Sequence, residues 1–249
     1  MPDLGSSSFL PELREGTSHP SCLPGDAGLR DEAWDHRGHG DSEHAPLYQG
    51  EADIRDALAV FDSVTQLDAL TPTTDLVTLG IGGNDGRVFG TLVTTCVGLA
   101  LKDPDGSPCA DLGERPGSQV RALVAGMPDT IEAAVEAIQR RAPQARVVVV
   151  GYPQIFPGSG TCDERLPLAS GDVPYARDLM RRIATAQEQG ARAAGAEYVD
   201  LVSATEGHDI CSDDPWVAGI VPERPALAYH PYAEEQQAVA RLLKELLTS

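Results

Sequence analysis

Two stretches of this 249-residue chain carry residue types that could do chemistry together. In Asp75-Leu-Val-Thr-Leu-Gly-Ile-Gly-Gly-Asn-Asp85, an apolar run ends in glycines and then presents a polar amide, Asn84. A short apolar run closed by glycines reads as a strand buried on both faces of a parallel sheet. Sites of α/β folds lie at the carboxyl ends of such strands, and glycine lets a ligand approach the backbone closely. There Asn84 could donate its side-chain N–H to a developing oxyanion; the competing reading is a turn in which Asn84 caps the next helix. The second stretch, Ala228-Tyr-His-Pro-Tyr232, precedes a segment with apolar residues at Ala238, Leu242, Leu243, Leu246 and Leu247, a helical spacing. His230 thus stands in a loop before the last helix, with Pro231 near the helix start. A lone histidine is most often a surface or satisfied residue, but this loop could carry a general base to the sheet's carboxyl edge.

The elements that must position these two groups alternate along the chain. Ile54, Leu58, Phe61, Val64, Leu67 and Leu70 recur every three to four residues, a helix that Thr71-Pro-Thr-Thr turns into the strand Leu76–Ile81. A helix from about Phe89 to Leu101 follows, then a loop region bracketed by Cys96 and Cys109. Val120 to Arg141 reads as a long helix, kinked or restarted at Pro128 and ended before Pro143. Arg146-Val-Val-Val-Val-Gly151 is a buried strand, Tyr175 to Ala194 a third helix with Gly195 beyond its end, and Glu197 to Val202 another strand. Strands alternating with helices predict a mostly parallel sheet between two helical layers. Residues 1–50 are rich in Gly, Ser, His, Pro and charge and read as a divergent, partly irregular segment before a single domain over 51–249.

Composition narrows the function. The formal charge of −19 argues against nucleic acid or an anionic membrane as partner. No apolar run approaches the length of a membrane span, so stable insertion is not expected. Met1-Pro-Asp-Leu4 offers neither a basic region nor an apolar core, and no signal peptide is expected in this chain. The five cysteines contain no Cys-x-x-Cys pair that would suggest zinc; five free thiols is one reading of them.

The run from Gln66 to Asp85, with the late His230-Pro231, resembles the SGNH (GDSL-type) hydrolases, and more narrowly the secreted actinobacterial esterases and lipases. The resemblance covers about residues 64 to 249. It implies a three-layer α/β/α, flavodoxin-like fold that hydrolyses ester substrates, small or lipid, without metal or cofactor. It further implies a serine nucleophile, a histidine base, and an oxyanion hole built from the serine N–H, a glycine N–H and the motif asparagine. Asn84 and His230 carry over directly. The resemblance also implies disulfides Cys96–Cys109 and Cys162–Cys211, which leave Cys22 over. Such bridges belong in an oxidising compartment, so an extracellular monomer is the expectation.

The nucleophile is harder to place. Ser42 lies in the family's Gly-Asp-Ser spelling, but His36-Arg-Gly-His-Gly cannot be a buried strand before it, and too few residues separate it from Asn84 for the intervening elements. Ser7, in Leu4-Gly-Ser-Ser-Ser-Phe9, has the better spacing, with Ser6 in place of the expected aspartate. Gly50 is the matching oxyanion glycine, in Gln49-Gly-Glu-Ala-Asp53. Ser7 is the preferred nucleophile and Ser42 the alternative; the third possibility is a catalytically impaired member with no competent serine. Where many relatives place an aspartate three residues before the histidine, this chain has Leu227. A Ser–His dyad, with the Leu227 carbonyl orienting the imidazole, is expected instead of a full triad.

Overall fold

The computed structural model describes residues 31–33 and 66–248. Ser7, Cys22, Ser42, Gly50 and the expected helix from Ala52 fall outside them, apart from a 3₁₀ turn at Gln66–Ala69 that closes that segment. Four strands, β1 (Asp31–Ala33), β2 (Leu76–Leu79), β3 (Arg146–Val150) and β4 (Glu197–Val199), lie in that order and all pair in parallel. Leu76 sits opposite Arg146, and Val150 opposite Val199. β1 falls in the segment read as partly irregular, where it adds a parallel strand beside β2 with Asp31 opposite Leu76.

Alternation along the strands builds the layers. Successive strand residues point to opposite faces: Val77, Leu79, Val147 and Val149 enter one core, while Leu76, Val148 and Val199 enter a second. Because both sets are buried, each face must be covered by helices. A helical run covers the region after β2: a 3₁₀ turn at Asp85–Arg87, α1 (Val88–Thr91), a π segment at Leu92–Cys96 and α2 (Val97–Ala100). Then come α3 (Pro108–Glu114), α4 (Gln119–Arg141) and α5 (Asp172–Ala193). Ile131, Val135 and Ile138 of α4 and Leu179 and Ile183 of α5 fill the first core. α6 (Leu201–Ala204) and α7 (Ala233–Thr248) close the second, through Leu201 and Leu243. The result is the expected three-layer α/β/α arrangement.

Several boundaries differ from the sequence reading: β2 ends at Leu79 rather than Ile81, and α5 begins at Asp172 rather than Tyr175. α4 runs unbroken through Pro128. The fourth strand stops at Val199, because Asp200 accepts from Ser203 N–H at 3.2 Å and caps α6, a local alternative to further pairing. Cys96 falls in the helical run, as expected, whereas Cys109 lies in α3, a helix the sequence reading did not place. α3 starts where Asp172, buried at the head of α5, accepts from the Cys109 and Ala110 N–H groups at 2.8–3.0 Å. A carboxylate at a helix N-terminus satisfies donors that have no intrahelical partner.

Both expected disulfides are formed, Cys96–Cys109 and Cys162–Cys211. The first joins the helical run after β2 to α3; the second joins the loop after β3 to the loop after α6. A non-reduced digest should yield both linked peptides by mass spectrometry. Reduction should lower the unfolding free energy by about 2–4 kcal/mol per bridge, more for the 49-residue separation than for the 13-residue one. Unchanged denaturation with and without reductant would contradict this.

Candidate functional site

The site is built at the carboxyl end of β2, where the chain leaves the sheet through Gly80-Ile81-Gly82-Gly83-Asn84. Its backbone polar groups are held from several sides. The Ile81 carbonyl accepts from Gln187 Nε2 at 2.6 Å, and Gln187 on α5 has no solvent exposure. Gly83 N–H donates to the Tyr152 hydroxyl at 3.1 Å, and the Gly83 carbonyl accepts from Phe89 N–H at 3.2 Å. The Gly82 and Asn84 carbonyls accept from the N–H groups of Asp85 and Arg87. Tyr152 comes from the loop after β3, so the turn after β2 is tied to the neighbouring strand and to the helix above it.

Glycine is required at Gly82 and Gly83 for different reasons. Gly82 has φ +110°, which side-chain-bearing residues rarely adopt. At Gly83 a Cβ would stand 2.7 Å from the Tyr152 ring. Burial, together with the Asp85 charge, pushes the Tyr152 phenol up to about 12, although the Gly83 N–H acts in the opposite sense. The hydroxyl is therefore neutral near pH 7, a fixed acceptor for that N–H. Asn84 itself has φ −94° and ψ 0° and makes no side-chain capping bond to the helix it precedes. The helix-cap reading of Asn84 is thereby overturned, and its half-buried carboxamide is not spent on the turn.

His230 is held by a hairpin. Val217 and Pro231 form an antiparallel bridge, Ala218 N–H donates to the His230 carbonyl at 2.9 Å, and Tyr229 N–H to that of Gly219 at 3.4 Å. Ile220 N–H donates to the Arg165 carbonyl at 2.8 Å, which fastens the hairpin to the loop that Cys162 anchors. Tyr229 takes φ +62°, a left-handed kink immediately before the histidine. The imidazole Nδ1 lies 2.8 Å from the Ala228 carbonyl. A carbonyl can only accept, so Nδ1 carries a proton, and in the neutral ring Nε2 is then the basic nitrogen. The ring's contact differs from the expectation: Ala228, not Leu227, supplies the carbonyl beside Nδ1, and the Leu227 carbonyl accepts instead from His230 N–H at 3.1 Å. The kink at Tyr229 folds the chain so that Ala228, rather than Leu227, faces the ring.

One contact joins the two halves. The Tyr229 ring meets Phe89 edge-on, with centroids 6.4 Å apart and planes at 80°. Phe89, in α1, lies five residues after Asn84 and Tyr229 adjoins His230, so the asparagine turn and the histidine hairpin pack together although the sequence separates them widely. Asp213 and Asp214 are exposed, as expected, and neither carboxylate serves His230. Asp214 lies 3.3 Å from Nδ1 of His208, which stacks on Trp216 at 3.7 Å. Tyr152, Gln187 and Ala228 are the site residues that sequence reasoning missed; the close pairing of Gly82 and Gly83 was the available signal that something packs against that turn.

Glu235, in the first turn of α7, is 2 % exposed. Burial raises its carboxyl to about 7, against a hydrogen bond from Gln236 that lowers it. A carboxyl raised in the folded state contributes its full stability below its unfolded value near 4.5 and loses it as pH rises through about 7. Glu235→Gln should therefore melt like the parent below about pH 4.5 and be more stable above pH 7, by on the order of 3 kcal/mol at most; melting curves across that range check the sign.

The clamp on the turn gives a second expectation. Tyr152→Phe leaves the Gly83 N–H without its acceptor and should cost about 1–3 kcal/mol in denaturant unfolding. Gly83→Ala must also displace the Tyr152 ring, so it should cost more than Tyr152→Phe. The reverse order would show that the ring yields freely.

The sequence matches the model of the GDSL-like Lipase/Acylhydrolase family over residues 24–238. It is 37 % identical over 189 residues to Lipase 2 of Streptomyces coelicolor, covering 73 % of this chain and 63 % of that protein. It is 31 % identical over 171 residues to Lipase 1 of the same organism, covering 69 % and 59 %. The matches thus span less than two thirds of the length of these curated relatives. Among solved structures, phospholipase A1 from Streptomyces albidoflavus NA297 superposes with a TM-score of 0.63 at 28 % identity, covering 78 % of this chain and 76 % of that one. An extracellular lipase from Streptomyces rimosus gives 0.61 at 27 % identity, with the same coverage.

Proposed function

From a chain that belongs to the GDSL-like lipase/acylhydrolase family, we propose a serine esterase or lipase that hydrolyses carboxylic esters through a Ser–His dyad. The observation that carries this reading is the 2.8 Å contact of His230 Nδ1 with the Ala228 carbonyl, which orients the ring so that Nε2 serves as the base. A serine Oγ attacks the ester carbonyl while Nε2 takes its proton. The imidazolium then returns that proton to the leaving alcohol, and water repeats the sequence on the acyl-enzyme. Negative charge gathers on the carbonyl oxygen in both halves. The Asn84 carboxamide, with the N–H groups of Gly50 and of the serine itself, stabilises it. The Ala228 carbonyl orients the ring but brings no full charge to the imidazolium, a weaker version of the triad carboxylate.

Ser7 is the first candidate for the nucleophile and Ser42 the second. β1 delivers the chain to the carboxyl edge at Ala33; Ser42 follows that strand in sequence and Ser7 precedes it. The two disulfides support an extracellular setting, as does the similarity to an extracellular Streptomyces lipase. We read residues 1–249 as a single domain acting as a monomer on small or lipid esters, with no cofactor.

Labelling with a fluorophosphonate and turnover of a short-chain nitrophenyl ester test the mechanism. The labelled peptide should contain Ser7 or Ser42. Asn84→Ala should lower kcat by about 10²–10³ with the fold intact, and His230→Ala should remove most of the activity. No labelling and no turnover in the parent protein would favour a catalytically impaired member of the family, a reading motivated by Ser6 in place of the expected aspartate before Ser7 and by His36-Arg-Gly-His-Gly before Ser42.

A further inference from the structure

Large apolar side chains are exposed at few places among the described residues. One is Leu101, just past α2; the others, Ile220 (38 %), Val221 (70 %) and Leu227 (63 %), all belong to the loop that carries His230. The hairpin places these three in one loop. Its two arms are joined by the Val217–Pro231 bridge and the bonds between Ala218 and His230 and between Gly219 and Tyr229. Ile220 and Val221 lie just beyond the last of these links on one arm, and Leu227 just beyond it on the other. The apolar residues thus form the tip of the same hairpin whose arm holds the candidate base.

The tip's charges are compensated. Glu223 pairs with Arg165 at 3.0 Å, and Arg224 pairs with Glu234 while lying 4.0 Å over the Tyr232 ring. Pro222 and Pro225 limit its backbone freedom. A chain with a formal charge of −19 therefore presents, beside its candidate site, a stiffened apolar tip without an uncompensated charge of its own. Exposed apolar side chains gathered in one loop mark an interaction site more often than chance, and this loop runs directly into the histidine arm.

We propose that the 220–227 tip docks the protein onto the uncharged surface of an aggregated ester lipid, seating that surface beside His230. This rests on the ester-hydrolase reading above. The occupant is a neutral or zwitterionic lipid surface, because an overall charge of −19 is repelled by an anionic one. Docking would be shallow, by side chains entering the outer layer, since no helix among the described residues is long and apolar enough to cross a membrane.

The test uses the whole protein, an emulsion of neutral triacylglycerol stabilised by phosphatidylcholine, and the double variant Ile220→Ser, Val221→Ser. Flotation should show the parent protein bound to droplets, and the variant bound on the order of tenfold or more weakly, since each methylene withdrawn from lipid is worth roughly fourfold. Turnover of a soluble short-chain nitrophenyl ester should be unchanged in the variant, while turnover of the emulsion falls with binding. Equal flotation of the two proteins overturns the proposal, as does failure of the parent to float. Equal loss on soluble and emulsified ester also overturns it, by showing that the tip shapes the site itself. A parent dimer that the substitutions split would assign the tip to a second copy of the chain. If the parent floats but hydrolyses neither ester, the enzyme reading fails while the docking surface stands.

Discussion

The pairing of β2 with β3 is the constraint on which the rest of the molecule depends. Leu76 to Leu79 lie beside Arg146 to Val149 in parallel register, and Leu76, Val77, Leu79, Val147, Val148 and Val149 are all buried. Backbone groups in such a place must be paired with each other, since no water is there to satisfy them. The ladder does so and thereby sets the level at which both strands end. The turn after β2 and the loop after β3 emerge side by side, which lets Tyr152 reach Gly83. Had the register slipped by one residue, each strand would have turned its core set to the opposite face.

From that level the candidate site is assembled by hydrogen bonds to backbone more than by charge. Gln187 holds the Ile81 carbonyl, Tyr152 the Gly83 N–H, and Ala228 the imidazole. Each of these partners is neutral. They fix geometry without the desolvation cost that a buried carboxylate would carry. Asp214 shows the contrast: it is exposed, pairs with His208, and leaves His230 to a carbonyl. In chemical terms the arrangement orients the His230 imidazole through a neutral carbonyl.

The histidine hairpin is tied into the fold by contacts from two other regions. Arg165 meets it through the carbonyl that accepts from Ile220 and through the ion pair with Glu223. Its guanidinium also donates to the Ser212 carbonyl, next to the bridged Cys211. Phe89 packs against Tyr229 from the helix that follows Asn84. The disulfide between Cys162 and Cys211 thus reaches the candidate base through a short chain of contacts, and the same scaffold supports the apolar tip.

Much of this was legible in the amino-acid order. The valine run of β3, the apolar run before Gly82-Gly83-Asn84, and the helical spacing of α4, α5 and α7 depend on periodicities of burial, which are local properties of a chain. The family resemblance rested on the same local letters, Asn84 and His230 among them, and the disulfide pairs it implied are formed. Boundaries were less legible where a side chain competes with the ladder: Asp200 ended β4 by capping α6, and nothing in the apolar pattern of Leu201-Val202 signals that. The tertiary structure alone decided which residues complete the site. Tyr152 and Gln187 read locally as an aromatic after a strand and a glutamine in a helix; only the packing of β3 and α5 against β2 brings their polar ends to the Gly-rich turn. It also chose Ala228 over Leu227 as the partner of the His230 imidazole, because the left-handed kink at Tyr229 is imposed by the hairpin and not by the residue that adopts it.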